Sequence, residues 1–278
     1  MFFAKPNQYE PAGIFTTQHV ILIILTITGI YVALKRTVNK SKEDIKKIIK
    51  TLTIIVWILE FIKIGFKFYI GKMNDVNEYL PLYYCSLLLY AGLMSSFGKG
   101  KIKRMGDVFL ATGGIIGGIV FIIMPTTSLP TYPMLHYLSL HSFLYHGIMV
   151  YIGLLMNATH YIELELKDII YFSELIGGIC MISLVINRIF DSNLMFISKD
   201  FPGTPLTILY HLTGKLFTPI MIVIQMTLPF LVVYSVQKEK KIKQKQSVPY
   251  KISTDCFCFK EYIIGADGVV IYNFFQLS

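Results

Sequence analysis

Charged residues are scarce in this sequence. Asp, Glu, Lys and Arg make up 15% of its 278 residues, whereas 54% are hydrophobic. Soluble domains carry about 25% charged residues, and a soluble monomer of this composition would expose large apolar patches. The low charge therefore excludes an ordinary soluble globular protein and indicates a chain that lies in a lipid bilayer.

The sequence also lacks the features of a zinc-binding, disulfide-bonded or secreted protein. Its four cysteines, Cys85, Cys180, Cys256 and Cys258, do not have the spacing of a zinc site or a disulfide framework. The N-terminus has no basic segment followed directly by an apolar one, as a cleavable signal peptide would. We therefore expect no metal and no cofactor, and we expect the first apolar helix to direct membrane insertion.

The formal net charge of +9 does not indicate nucleic-acid binding. The lysines lie in short segments beside the apolar runs, where membrane orientation and anionic headgroups account for them. Membrane lipids are therefore the expected partners, without nucleic acid, and the oligomeric state is left open.

Apolar runs separated by polar breaks predict an all-α, polytopic membrane helix bundle of about seven transmembrane helices. Residues 1–236 would form this domain, and residues 237–278 a basic, poorly ordered cytoplasmic tail in which Asp267-Gly268 resembles a hairpin turn. The predicted helices cover residues 14–34, 48–71, 79–97, 106–124, 134–157, 167–189 and 215–236.

The distribution of Lys and Arg predicts the orientation of the bundle. Basic links follow helices one, three and seven ("KRTVNKSKEDIKK", "GKGKIKR" and "KEKKIKQK"), while "PTTSLPTYP" after helix four has no basic residue. Because cytoplasmic loops carry the excess of Lys and Arg, the N-terminus should lie outside and the C-terminus in the cytoplasm. The expected location is the cell membrane.

Polar residues inside the apolar helices are the candidates for function, because a buried polar group without a partner is costly. Glu60 and Lys63 lie one turn apart in helix two, a spacing that lets them pair. They could relay protons or ions, anchor a lipid headgroup, or only fix helix packing.

Glycines in helix four predict close helix contact. Gly113 with Gly117, and Gly114 with Gly118, form two overlapping small-xxx-small patterns. Such patterns let neighbouring backbones approach each other in a membrane.

Helix five carries a polar stripe. At about 100° per residue, His136, Ser139, Ser142 and His146 fall in one arc of about 120°, with His141 on nearly the opposite side. We expect the stripe to line a hydrated groove inside the bundle, and His141 to face elsewhere. A functional site and a packing role explain the stripe about equally well.

Cys85 lies near the outer end of helix three, in "EYLPLYYCSLLLY". At about 1.5 Å per residue, its depth is close to that of Ser139 and Ser142 and somewhat above that of His146. A thiol needs a nearby base or positive charge to become a thiolate. The depths permit a contact between Cys85 and His146, while a packing role for Cys85 stays open.

These motifs resemble those of the YwaF-type integral membrane proteins of bacteria, over about residues 14–236. That family has a histidine early in helix one, a Leu-Pro-Leu motif leading to cysteine, a His-Gly pair, and an asparagine after helix six. Many relatives have a histidine where this chain has Tyr83. The matching residues here are His19, Leu80, Pro81, Leu82, Cys85, His146, Gly147, Asn193, Met195 and Phe196.

The resemblance implies a fold similar to that of a eukaryotic transmembrane acyltransferase, which remodels phospholipids through a cysteine and a histidine. The histidine of that relative corresponds to His146, whereas its cysteine corresponds to Leu82 rather than Cys85. The candidate catalytic residues are His146 and Cys85. The candidate substrate-binding residues are His136, Ser139, Ser142, Tyr83, Glu60, Lys63 and Asn193.

Three functions follow from these residues. A lipid-directed acyltransferase or hydrolase would use Cys85 as nucleophile and His146 as general base. A transporter or carrier would use the polar stripe and the Glu60–Lys63 pair as a path, although the sequence shows no repeat symmetry of the usual transporter kind. A scaffold would use the same residues only to lock helix packing.

Overall fold

Helices form where apolar runs predict them, and side-chain caps define several of their starts. A computed structural model describes residues 1–246, 263–264 and 270–271. Ser41 caps one helix by accepting a hydrogen bond from the Asp44 N–H, and its hydroxyl holds the pKa of Asp44 below the ordinary value. The helices are α1 (Thr17–Thr37), α2 (Lys42–Tyr69), α3 (Val76–Tyr79), α4 (Leu87–Phe97), α5 (Gly100–Ala111), α6 (Gly113–Ile123), α7 (Tyr137–Ala158), α8 (Asp168–Phe190), α9 (Pro205–Thr213) and α10 (Phe217–Gln246).

The protein is a polytopic α-helical membrane protein. Within the described part of the chain, five helical segments are long and apolar enough to cross a bilayer: α1, α5 with α6, α7, α8, and α9 with α10. The helix α2 is not among them, because Glu60, Lys63 and Lys67 lie in its C-terminal half. The helix α4 has 11 residues, which at about 1.5 Å each is too short to span the hydrocarbon layer.

The predicted third helix, residues 79–97, is interrupted in the structure. The short helix α3 ends at Tyr79, and Leu80 has an extended backbone (φ −82°, ψ 116°). A residue before proline avoids helical geometry, and Pro81 cannot donate a backbone hydrogen bond. The segment around Tyr83 and Cys85 is therefore a turn that leads into α4, and Cys85 lies before this helix rather than inside it.

The interior of the bundle is built around α7 and the α5–α6 pair. In the most apolar stretch of α7, 78% of the residues are buried, whereas in that of α1 only 11% are. The helices α1, α2, α5 and α6 all contact α7. Side chains on α7 are therefore enclosed on most sides, which decides the environment of its histidines.

The helix breaks between α5 and α6, and a side chain from α7 donates a hydrogen bond to a backbone carbonyl at this break. Thr112 has a non-helical backbone (φ −127°, ψ −79°), which leaves carbonyl groups of the preceding turn without helical partners. The amide of Asn157 donates to the carbonyls of Ala111, at 2.8 Å, and Gly153, at 2.9 Å. This contact joins α5 to α7 at the break.

The two glycine pairs of α6 face different neighbours. A Cβ atom on Gly117 would lie 3.0 Å from the ring of Tyr84, and one on Gly118 would lie 2.5 Å from Cγ2 of Val150. Gly118 would also approach the backbone oxygen of His146, at 2.9 Å. The pairs therefore let α6 contact both the Cys85 turn and α7, as the small-xxx-small patterns predicted.

We expect Gly118→Ala to destabilise the bundle by about 1–3 kcal/mol, because its methyl group would overlap α7 at backbone level. Gly114→Ala is the matched control on the same face, since its Cβ would have no contact closer than 3.5 Å. It should be neutral or slightly stabilising, as Ala favours helix more than Gly does. Unfolding in detergent checks this, and equal stability of the two variants would contradict the assigned contact.

The links between helices gather at two ends of the bundle. At one end, the N–H groups of Ala12 and Gly13 donate to the carbonyls of Tyr132 and Leu129. At the other end, Arg104 forms a bidentate ion pair with Asp168, with hydrogen bonds of 2.9 and 2.5 Å. Arg104 also donates to the carbonyl of Glu163, beyond the end of α7, and Tyr151 of α7 donates to Thr37, the last residue of α1. The basic links after α1 and α4 therefore lie at the end opposite to the N-terminal segment.

The contacts of the chain divide it into two units, Met1–Gln237 and Lys238–Ser278. In the second unit, Ile263–Ile264 pairs antiparallel with Val270–Ile271. The predicted turn at Asp267-Gly268 and the cysteines Cys256 and Cys258 lie outside the described residues.

Candidate functional site

The helix α7 buries polar side chains on both of its faces. His136 and Ser139 are fully buried, His146 is 7% exposed and Ser142 is half-buried. His141 is 6% exposed, so the prediction that it faces away from the interior is wrong. The helix α7 has no break that would turn His141 inward. His141 is buried because neighbouring helices pack against α7 on most sides.

His146 has the geometry of an oriented base. Its Nδ1 lies 2.6 Å from the carbonyl oxygen of Ser142. Because a carbonyl only accepts, Nδ1 carries the hydrogen and Nε2 keeps a free lone pair. That Nε2 is buried and has no hydrogen-bond partner within residues 1–246. The ring stacks on Phe121, with centroids 3.6 Å apart, which holds the imidazole in place.

Cys85 is hydrogen-bonded to α6 and to α7 close to His146, but not to His146 itself. Its thiol donates a long hydrogen bond, 3.8 Å, to the carbonyl of Gly117 on α6. Its own carbonyl accepts from the hydroxyl of Tyr145 on α7, at 3.2 Å. Both Cys85 and His146 are described, and no hydrogen bond joins them. The turn that carries Cys85 is thus held between α6 and α7.

Tyr145 links the members of the cluster, and sequence reasoning missed it. Its ring centroid lies 5.7 Å from that of His141 and 5.4 Å from that of His146. A tyrosine beside a histidine in an apolar helix is most simply explained by packing. Only the hydrogen bond to Cys85 distinguishes it. We name Cys85, His141, Tyr145 and His146 the α7 cluster.

The predicted ion pair of α2 forms and borders this cluster. The ammonium of Lys63 lies 2.6 Å from the carboxylate of Glu60, whose side chain is 2% exposed. The Lys63 side chain is 25% exposed. Two contacts hold this part of α2 against α7: the carbonyl of Leu59 accepts from the Tyr137 hydroxyl at 2.8 Å, and the Phe66 ring lies 5.4 Å from that of His136. The structure therefore brings Glu60 and Lys63 to the same part of the bundle as the α7 cluster.

His136 is held entirely by backbone groups. Its Nδ1 accepts from the N–H of Leu138, and its Nε2 donates to the carbonyl of Ala4, each at 3.1 Å. It therefore caps α7 and fastens the N-terminal segment. The ring of Tyr132 stacks on it, with centroids 4.2 Å apart, and burial raises the pKa of Tyr132 to about 12. With both nitrogens occupied, His136 has no free group for a substrate.

Tyr83 and Asn193 lie close to each other, apart from the α7 cluster. The Tyr83 hydroxyl donates to the Asn77 carbonyl at 3.0 Å, and the Asn193 N–H donates to the Asn77 side chain at 2.8 Å. The side chain of Asn193 accepts from the N–H groups of Ser198 and Lys199. A cavity of about 200 Å³ lies beside these residues. Neither residue is hydrogen-bonded to the α7 cluster.

In the described part of the chain, no group of three or more His, Cys, Asp or Glu side chains could hold a metal ion. The α7 cluster itself contributes a thiol, two imidazoles and a phenol. Of these, the free nitrogen of His146 is oriented most firmly.

The fold and site define a polytopic α-helical membrane protein with a buried polar cluster on its central helix. The chain belongs to the TMEM164 family, which it matches over residues 14–245. No curated protein and no solved structure is significantly similar to it. The matched range includes every residue of the α7 cluster.

Proposed function

We propose that the protein is a lipid-directed acyltransferase or hydrolase of the cell membrane, of the YwaF type within its family. One observation carries this proposal: the buried imidazole of His146 is held through Nδ1 and presents an unpartnered Nε2. Buried polar atoms in native proteins nearly always have partners. A histidine held through one nitrogen, with the other free, is suited to act as a general base.

Cys85 is the proposed nucleophile. Its thiol would give its proton to Nε2 of His146, and the thiolate would attack the carbonyl carbon of a lipid ester. The ester C–O bond breaks, and the leaving alkoxide takes the proton from His146, so that a thioester remains on Cys85. A second alcohol, or water, then gives its proton to Nε2 and attacks the thioester, and the sulfur regains a proton from His146.

The position of Cys85 supports this role through its neighbours. The thiol makes one long hydrogen bond to Gly117, so a rotation about its side chain costs little. Tyr145 holds the Cys85 backbone against the helix that carries His146. In an alternative without the cysteine, Nε2 of His146 activates water or an alcohol that attacks the lipid ester directly.

The experiment that tests the function compares Cys85→Ser with wild type by lipidomics of membranes that contain the protein. We expect acyl exchange or release to fall by about 100-fold or more, because a serine hydroxyl is a far weaker nucleophile at neutral pH. Cys180→Ser, in a buried apolar position on α8, is the matched control. Full activity in Cys85→Ser would assign the attack to water or alcohol, and no lipid change with wild type would favour a carrier or a scaffold.

We further propose seven membrane helices with the N-terminus outside and residues 237–278 as a cytoplasmic tail. The seven helices are the five apolar spans together with two further segments. These two are α2, whose Glu60 is buried against its neighbours, and the segment that contains α4. Reporters fused after Arg36 and after Thr131 should then report opposite sides of the membrane, because basic links favour the cytoplasm. The same side for both would contradict this topology.

A further inference from the structure

We infer that Lys63 and His141 form a binding site for the phosphate group of a glycerophospholipid, beside the proposed acyl-transfer site. The choice of a lipid as ligand rests on the proposed function. The site itself rests on an unpartnered buried nitrogen, a neighbouring ammonium and the spacing of two histidines along α7.

The first observation concerns His141. Its side chain is 6% exposed, and its Nε2 has no hydrogen-bond partner among the described residues. The rings of Tyr137 and Tyr145 lie 5.6 and 5.7 Å from its ring and restrict its movement. A buried polar atom without a partner is rare, and an absent ligand is one of the few explanations.

The hydroxyls of the two tyrosines that pack on His141 have partners, whereas its own Nε2 has none. The hydroxyl of Tyr137 donates to the carbonyl of Leu59 at 2.8 Å, and that of Tyr145 donates to the carbonyl of Cys85. His19 shows how this fold satisfies a structural histidine, since its Nε2 bonds the carbonyl of Ile122 at 3.0 Å. The nitrogen of His141 has no such partner and is free to donate to a ligand.

The second observation is the positive charge beside it. Lys63 lies on α2 between Leu59, whose carbonyl bonds Tyr137, and Phe66, whose ring is 5.4 Å from that of His136, so it lies beside the first turns of α7. Its ammonium has three donor hydrogens, and the ion pair with Glu60 leaves some of them available. A phosphate oxygen is a strong acceptor for ammonium and imidazole donors, and charge-assisted hydrogen bonds of this kind are the stronger ones. Among lipid groups, the phosphodiester matches this donor set.

The third observation is the spacing along α7. His141 and His146 are five residues apart, which places them about 7.5 Å apart along the helix axis. His141 is nearer to the end of the bundle that carries the N-terminal segment. A glycerophospholipid presents its phosphate first and its acyl esters a few bonds deeper. Tyr145 lies between the two histidines, with its ring 5.7 Å from that of His141 and 5.4 Å from that of His146, so a lipid that passes over Tyr145 would place its phosphate at His141 and an ester at His146.

The test measures how much phosphatidylglycerol the full-length protein retains in detergent, by native mass spectrometry. The variants are His141→Leu and the double variant Glu60→Gln/Lys63→Met, which removes the ammonium without leaving a buried carboxylate unpaired. We expect each to lower retention about tenfold, the effect of one lost charge-assisted hydrogen bond. His141→Gln, whose amide can donate, should recover part of the loss.

Two controls separate this site from the proposed reaction and from misfolding. His146→Gln should retain lipid as wild type does, even where acyl transfer is lost, so failure of the reaction leaves this test intact. His211→Gln, at a histidine that is 72% exposed on α9, should change nothing. Size exclusion and thermal unfolding of each variant show whether the bundle is folded.

The outcomes decide between the sources of the phosphate. Loss of lipid from folded His141→Leu and from the double variant supports the site. Wild-type retention in both would overturn it. A second arm measures stabilisation of the delipidated protein by inorganic phosphate, and a His141-dependent effect of phosphate without lipid retention would overturn the lipid assignment.

Discussion

Replacing His146 by Ala should lower acyl exchange or release by about 10²–10⁴-fold, the usual contribution of a general base. The reason is that Nε2 of His146 is the oriented, unpartnered proton acceptor of the α7 cluster. The measurement is lipidomics of membranes that contain equal amounts of folded variant and wild type. His211→Ala is the matched control, because that side chain is exposed and lies outside the cluster.

The loss of the ring has a structural consequence that must be separated from catalysis. The His146 ring stacks on Phe121, so His146→Ala also removes packing and should lower stability by about 1–3 kcal/mol. Added imidazole should restore part of the activity of His146→Ala, which a purely structural role would not predict. Wild-type lipid turnover in His146→Ala would refute the proposed base.

Replacing Lys63 by Met alone should lower the free energy of unfolding by about 3–5 kcal/mol. The variant leaves the Glu60 carboxylate, 2% exposed, without its partner at 2.6 Å, and an uncompensated buried charge is costly. The double variant Glu60→Gln/Lys63→Met should recover most of this loss, because it removes both charges. Chemical unfolding in detergent micelles or bicelles measures the three variants.

Stability and phospholipid retention, measured on the same variants, also show whether the ion pair serves helix packing or lipid binding. A double variant that is as stable as wild type but retains less phospholipid would show that the pair serves binding rather than packing. If Lys63→Met alone is as stable as wild type, then Glu60 does not carry an uncompensated charge in the folded protein. That result would contradict the ion pair as described.

Much of the fold was predictable from local sequence. The structure places α7 at Tyr137–Ala158 and α8 at Asp168–Phe190, within a few residues of the predicted 134–157 and 167–189. Both predictions depend on runs of apolar residues ended by polar ones, which are local properties. The third helix was predicted wrongly because its apolar composition continues through Pro81, whereas its backbone does not.

The candidate site was predictable only in part. The periodicity of α7 correctly indicated buried positions for His136, Ser139 and His146. It indicated an outward position for His141, because periodicity describes the direction of a side chain and not what packs against it. The depth of Cys85 was consistent with a contact to His146, but its thiol instead bonds Gly117, a partner on another helix.

The sequence by itself determined that this chain lies in a membrane and where most of its helices lie, since run length and charge act locally. Which polar groups have partners was decided only by the tertiary structure. Nε2 of His136 bonds the carbonyl of Ala4, more than a hundred residues away, while Nε2 of His141 and of His146 are left free. Hydrogen bonds between distant segments depend on how the helices pack, and no local pattern specifies that packing.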